Sequence, residues 1–210
     1  MNFCSHNSVA VLAFLPSAGY PQLTMGVLAE LGNLLNEVRV CGLFKGVVIA
    51  ANSRSFATGA SLEEVACVEG VRARVFAQAG QSLFNRIANF PLPIAAAIRG
   101  YCLGGGLDLA LACHARVATY DASFGHPGAS LGLITGWGGI QRLTRLIGRT
   151  AATQLLLTAE RVPASQALTL GLVDELAPSP DLVGAAARRV LALGRQPAPR
   201  AGDRRMETRK

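Results

Sequence analysis

Apolar residues fall along this chain in two alternating periods. Val9–Phe14, Gly46–Ala51 (GVVIAA) and Ile94–Ile98 are short unbroken apolar runs, the pattern of strands buried on both faces. Between them, 24–40 places Val27, Leu28, Leu31, Leu35 and Val38 on one helical face, and 71–89 repeats Phe76, Leu83 and Ile87 at helical spacing. Phe90-Pro91-Leu92-Pro93 ends that second helix, because proline cannot continue it. Further on, the pattern predicts a helix over 107–113 and a strand over 115–119. Helices near 140–147, 151–158 and 164–170, a strand over 172–176 and a last helix over 182–193 complete it. Strands alternating with helices, and no linker dividing them, predict one α/β domain over 1–194. Beyond Gly194 the periodicity stops in favour of Pro, Gly, Arg and Ala, which predicts a disordered basic tail over 195–210.

Composition changes this picture little. With 210 residues, 50% of them hydrophobic and 16% charged, the chain has material for a large core. Its mean hydropathy of +0.34 is high, but Gly, Pro, Arg or Asp interrupts every run before the roughly 18 apolar residues of a spanning helix. Apolar surface buried between subunits accounts for the value without a membrane. Val9–Leu15 lacks a preceding Lys or Arg, so it reads as a strand rather than a signal peptide. The five cysteines are scattered, with no C-x-x-C pair, and predict reduced thiols in a cytoplasmic protein, neither disulfides nor a metal site. The net charge of +7 raises nucleic-acid binding, yet six basic against two acidic residues after Gly194 carry more than half of it. The body has no basic stripe interleaved with aromatics, so no nucleic-acid partner is expected.

Two segments carry candidate chemistry. In Ile98-Arg99-Gly100-Tyr101-Cys102-Leu103-Gly104-Gly105-Gly106-Leu107-Asp108, a strand runs into three glycines that open a helix. Glycine lets a ligand approach the backbone, and a helix start leaves N–H groups free at the positive end of the dipole. That suits an anion or a developing oxyanion. A tight structural turn is the plainer alternative, and a phosphate loop is disfavoured because no G-K-[ST] follows. In Ser55-Phe56-Ala57-Thr58-Gly59-Ala60-Ser61-Leu62-Glu63-Glu64, a second loop also links a buried strand to a helix start, with Ser61 placed to cap it.

Together these segments resemble the crotonase superfamily, the enoyl-CoA hydratases and isomerases. S-F-A-T-G-A-S-L is similar to that family's F-x-A-G-A-D-L, and G-Y-C-L-G-G-G-L-D-L-A-L-A-C to its G-x-x-x-G-G-G-x-E-L segment. Phe124-Gly125-His126-Pro127, Gly138-Gly139-Ile140-Gln141-Arg142-Leu143 and the stretch from Ala167 to Asp174 match in the same order. The resemblance implies a crotonase-like spiral of ββα units with surrounding helices and a shortened C-terminal helical part. It also implies an acyl-CoA substrate, no cofactor beyond that coenzyme A, and a homo-oligomer, trimer or hexamer. The oxyanion hole would be the N–H groups of Ala60 and Gly105, with Arg54, Thr58, Gly59, Leu62, Gly104, Gly128 and Trp137 as substrate-binding positions.

The acid/base positions depart from the family pattern. The first family glutamate falls on Asp108, one methylene shorter, and the second on Gly128, which has no side chain. A displacement of about 1 Å can cost on the order of 100-fold in rate, and glycine transfers no proton. Two-carboxylate hydration of simple enoyl thioesters is therefore expected to be weak. His126 is the candidate substitute for the missing acid, the alternative being a hydrogen bond to loop backbone. Asp108 has an alternative as a first-turn acid favoured by the helix dipole, Arg54 as a solvated arginine where it could otherwise meet a CoA phosphate, and Trp137 as core packing instead of a pocket wall. His114, at a helix end, reads as a positive cap. The expected activity is a lyase or isomerase acting through a thioester enolate; the alternative is a non-catalytic CoA-thioester binder.

Overall fold

The computed structural model describes residues 1–15, 20–51 and 53–194; the expected tail lies outside them. Six strands form the main sheet, in the order β1 (Asn2–His6), β2 (Val9–Phe14), β3 (Gly46–Ala51), β4 (Ile94–Ile98), β6 (Ala115–Ala118) and β9 (Glu175–Leu176). β1 pairs antiparallel with β2 and the rest run parallel. A second sheet joins β5 (Tyr101–Leu103), β7 (Ser123–Gly125) and β8 (Val162–Pro163). From β3 onward the chain repeats one unit: a main-sheet strand, a segment at the small sheet, then a helix. β3 leads to Ala57, which bridges Cys102, and on to α2 (Leu62–Ala66) and α3 (Val71–Ala88). β4 leads to β5 and α4 (Gly105–Ala112), and β6 leads to β7 and α5 (Gly139–Ile147).

The unbroken apolar runs are explained by helices on both sheet faces. Ala10, Leu12, Val47, Ile49, Ile94, Ala96 and Ile98 face a core filled by Leu28, Leu31, Leu35 and Val38 of α1 (Met25–Cys41), by Leu83, Phe84 and Ile87 of α3, and by α4. The alternate residues Val9, Val11, Val48, Ala50, Ala95, Ala97, Ala115 and Val117 meet α8 (Leu182–Gly194) through Ala185, Ala186, Ala187 and Val190. Small residues on that face let α8 lie close. A side chain at Gly46 would run into Val190 and come within 2.9 Å of the Pro93 carbonyl. Gly46→Ala is expected to cost about 1–3 kcal/mol by overpacking, read as a lower urea midpoint with unchanged slope.

Thr24 caps α1, its hydroxyl accepting from the Val27 N–H at 3.1 Å, and Ser61 caps α2, accepting from the Glu64 N–H. The strand expected over 172–176 shrinks to Glu175–Leu176. Leu172 and Val173 are buried in a turn instead, where the Arg116 Nε–H donates to the Leu172 carbonyl at 2.8 Å and the Asp174 carboxylate pairs with Arg116 at 2.9 Å. Strands β1, β5, β7 and β8 carry no periodicity of their own. His114 is not a positive cap: its Nδ1 accepts the Ile94 N–H at 3.0 Å, and burial lowers its pKa. Among the described residues no helix is long and apolar enough to cross a membrane.

Candidate active site

The two glycine-containing turns meet. Gly59, with φ 112, and Gly104, with φ 51, hold backbone conformations that other residues rarely adopt. They pack so closely that a Cβ on Gly105 would stand 3.3 Å from the Ala60 nitrogen, and one on Gly59 3.3 Å from the Gly105 nitrogen. The neighbouring groups lock this arrangement. Leu23 N–H donates to the Gly59 carbonyl at 2.8 Å, Thr58 N–H to Pro21 at 2.9 Å, Leu103 N–H to Ala57 at 2.9 Å and Gly104 N–H to Gly125 at 2.9 Å. The helix-internal bonds begin with Asp108 N–H to Gly104. Neither the Ala60 nor the Gly105 N–H donates to a backbone carbonyl among the described residues. These two N–H groups lie side by side, one of them opening a buried helix, where amide donors are left without intrahelical partners.

Both line a cavity of about 400 Å³, within the range of small-molecule sites. Thr58, Gly59, Leu62, Gly104, Asp108, His126, Gly128 and Trp137 line it as well, so every sequence-predicted site residue except Arg54 is gathered there. Arg54 is exposed and outside the lining; its carbonyl is pressed against Gly100, where a side chain would overlap it. Val65, Phe76, Ala77, Leu131, Leu133, Ile134 and Leu156 supply most of the apolar wall. Leu62, Leu131, Leu133 and Ile134 remain exposed, so the cavity is open along that rim.

Trp137 is buried in the core and also lines the cavity. Its ring centroid lies 5.2 Å from that of Phe76 and 5.6 Å from that of Phe84, and its Nε1–H donates to the Phe76 carbonyl at 3.3 Å. The indole lies against Gly80 on one helix and Gly105 on another; a Cβ on Gly105 would come within 2.5 Å of it. Gly105 is thus required for the space its missing side chain leaves beside the indole and the Ala60 nitrogen.

Asp108 is the single acid lining the cavity among the described residues, and it is fully buried. Burial raises its pKa from 3.8 to about 6, against the opposing pull of the Thr135 hydroxyl, of the Trp137 and Gly139 amides and of Arg142. The Thr135 hydroxyl donates to Oδ2, while Oδ1 has no hydrogen-bond partner among the described residues. A side chain on Gly139 would overlap that oxygen. His126 stands opposite, only 4% exposed. Its Nε2 is 3.6 Å from Asp108 Oδ1, beyond a hydrogen bond, and neither ring nitrogen has a partner among the described residues. The alternative reading of His126 as a backbone-bonded loop residue is therefore corrected: its ring faces the cavity because β7 ends there and the 3₁₀ turn Pro127–Leu131 begins. Burial lowers its pKa to about 4. Burial thus disfavours the charged form of both groups, against an ion pair between them. Buried polar atoms without partners are rare, and here three of them face one space.

A sequence profile of enoyl-CoA hydratase/isomerase matches residues 6–201. The chain belongs to the enoyl-CoA hydratase/isomerase family. It is 40% identical over 173 residues to the fatty acid oxidation complex subunit alpha of Shewanella halifaxensis, covering 80% of this chain and 24% of that protein. The same subunit of Shewanella baltica is 39% identical over 174 residues. The chain thus spans about a quarter of the length of these curated relatives. Among solved structures, Pseudomonas aeruginosa DspI superposes with a TM-score of 0.86 at 30% identity, over 93% of this chain and 80% of that one. An enoyl-CoA hydratase from Bacillus anthracis superposes with a TM-score of 0.83 at 30% identity, over 90% and 76%. The fold is the crotonase-like α/β fold of this family.

Thr135, Phe76 and Leu156 were not singled out in the sequence. Thr135 had one weak signal, a hydroxyl inside the glycine-rich run from Gly132 to Gly139. Phe76 was read as core on its helical spacing, and Leu156 showed nothing to distinguish it from the other leucines of its helix.

Proposed function

We propose that this chain binds acyl-CoA thioesters and forms their enolate, with Asp108 as the proton carrier. The observation that carries the reading is the paired free amides of Ala60 and Gly105, set in an apolar cavity whose single acid has an unpartnered oxygen. Amides aimed at the thioester oxygen gain strength as negative charge develops on it, each worth about 2.7–4 kcal/mol in comparable sites. The apolar wall suits a fatty acyl chain, and its relatives' name, fatty acid oxidation complex subunit alpha, agrees with that.

One carboxylate can complete a proton shift by itself. Asp108 Oδ1 removes a proton from the α carbon, and the electron pair moves onto the thioester oxygen as the enolate. Return of the proton to the γ carbon moves the double bond, and no water is consumed. Hydration needs one group to activate water and another to protonate carbon, and Gly128 supplies no second carboxylate. A β,γ-unsaturated acyl-CoA incubated in D₂O is therefore expected to incorporate deuterium and to become the conjugated α,β-isomer, followed by mass spectrometry and ultraviolet absorbance. The second reading, a non-catalytic binder, is favoured by the same glycine. Calorimetric binding of the thioester with neither exchange nor isomerisation would establish it and end the first.

A further inference from the structure

A carboxylate has two oxygens and a broad terminal torsion, so a catalytic carboxylate buried in a cavity must be told which oxygen to use. At Asp108 the two oxygens are treated differently. Oδ2 accepts from the Thr135 hydroxyl, whereas Oδ1 is left without a partner and faces His126 Nε2 at 3.6 Å. We infer that Thr135 is the positioning residue for Asp108: its hydroxyl occupies Oδ2 and so assigns proton transfer to Oδ1, the oxygen that faces His126. The inference rests on the enolate reading above and adds a residue to it.

Thr135 is well placed to hold a carboxylate because its own segment is pinned from two sides. From α3, Gln81 Nε2–H donates to the Gly136 carbonyl at 2.7 Å, and the Phe76 carbonyl accepts from Trp137 Nε1–H. From α5, an Arg142 guanidinium N–H donates to the Trp137 carbonyl at 3.0 Å, and another donates to Asn85 Oδ1 on α3 at 2.7 Å. Gly136 and Trp137, the two residues after Thr135, are thereby fixed, and the threonine methyl lies beside Gly139, within 3.0 Å of where a Cβ there would stand. The titratable and charged groups around Asp108 are His126 across the cavity, Arg142 on α5 and the buried Cys102 thiol on β5. Only Thr135 among the side chains donates a hydrogen bond to it within the described residues. That bond favours the ionised carboxylate, opposing burial. Without it the carboxylate is freed to rotate and harder to ionise.

The test compares Thr135→Val, which keeps the shape and removes the donor, with Thr135→Ser, which keeps the donor. Removing a hydrogen bond to a charged group predicts a fall in kcat of about 10- to 100-fold, with KM moving less. The acid limb of the pH–rate profile should move to higher pH, and Thr135→Ser should restore both. Carboxyl ¹³C resonances of aspartate-labelled protein, titrated without substrate, supply a readout independent of turnover: Asp108 should titrate at higher pH in Thr135→Val than in wild type or Thr135→Ser. Thermal melts establish that the variants are folded. A folded Thr135→Val with unchanged acid limb and unchanged Asp108 titration overturns the inference, as does Thr135→Ser impaired to the same extent as Thr135→Val. If the wild type itself shows no exchange or isomerisation, the enolate reading falls, and the carboxyl titration alone then decides whether Thr135 governs Asp108.

Discussion

Asp108→Asn should lose α-proton exchange and isomerisation by on the order of 1,000-fold, within the range by which positioned acid–base groups accelerate proton transfer, while raising the melting temperature. The two effects share one cause. Burial lifts the Asp108 pKa from 3.8 to about 6, so the native state binds this proton more tightly than the unfolded chain does. Above pH 6 the carboxylate is ionised in both states, and the buried charge costs the native state about 3 kcal/mol, at roughly 1.4 kcal/mol per tenfold change in proton affinity. That cost shrinks as pH falls through 6 and is gone below 3.8, where both states are protonated. Asparagine has no charge to bury, can accept from Thr135, and presents an amide to His126 Nε2. A gain of about 1–3 kcal/mol at pH 7 follows, or a rise in Tm of about 2–4 °C per kcal/mol for a domain of this size. The gain should fade toward pH 4, and melts at both values against wild type check it. Undiminished exchange in the variant would remove Asp108 from the chemistry. A lower Tm at pH 7 would show that its charge stabilises the fold.

Gly128→Glu is expected to raise hydration of a short α,β-unsaturated acyl-CoA by on the order of 100-fold over a slow wild type, the low end of what a general acid or base contributes. Gly128 lines the cavity at the start of the 3₁₀ turn, in a backbone conformation open to any residue. A Cβ there meets the Leu133 carbonyl at 3.3 Å and its Cβ at 3.5 Å, so the Leu133 side of the loop must yield by a few tenths of an ångström. Leu133 is exposed and can move. The new carboxylate would enter the cavity that Asp108 and the Ala60 and Gly105 amides already line; on the proposed reading, binding need not be rebuilt. Loss of ultraviolet absorbance of the conjugated thioester measures the rate directly. A folded Gly128→Glu protein no faster than wild type would mean that more than one missing carboxylate separates this site from hydration. A wild type already efficient at hydration would mean that His126, or water ordered by it, fills the role of the missing acid.

The same proton arithmetic has the opposite sign for His126. Its pKa falls from 6.5 to about 4 on burial, so the native state resists taking up a proton that the unfolded chain accepts. His126 therefore contributes stability above pH 6.5 that is lost as pH drops toward 4. Over much of the same interval the cost of the Asp108 charge is being relieved. The two groups offset each other in acid, and single variants should separate slopes that the wild type hides.

Much of this protein was legible in its sequence, for reasons that lie in local chemistry. Runs such as GVVIAA at Gly46–Ala51 are apolar on both sides of the pleat, and such a strand is stable only between two layers. The two glycine turns were legible because their conformation is backbone conformation: Gly59 and Gly104 take the positive φ that glycine allows, beside the Ala60 and Gly105 amides. Asp108 and Gly128 were placed by the resemblance to the family's motifs, whose two glutamates fall on them. Tertiary structure decided what spacing could not. Strand β5 is three residues long with no period of its own and exists because β7 and Ala57 flank it. Arg54 belongs to the same short stretch of sequence as Ala60, yet only the fold shows that it stays outside the cavity. Whether His126 bonds to backbone or faces Asp108 depends on where β7 ends beside the start of α4, where the Gly104 N–H donates to the Gly125 carbonyl. Thr135 was invisible for the same reason: its meaning comes from a carboxylate 27 residues away. The sequence by itself determined which groups are available to this site; only the packing of α3, α4 and the loop before α5 decided which of them touch, because burial and distance set both the proton affinities and the oxygen left free to react.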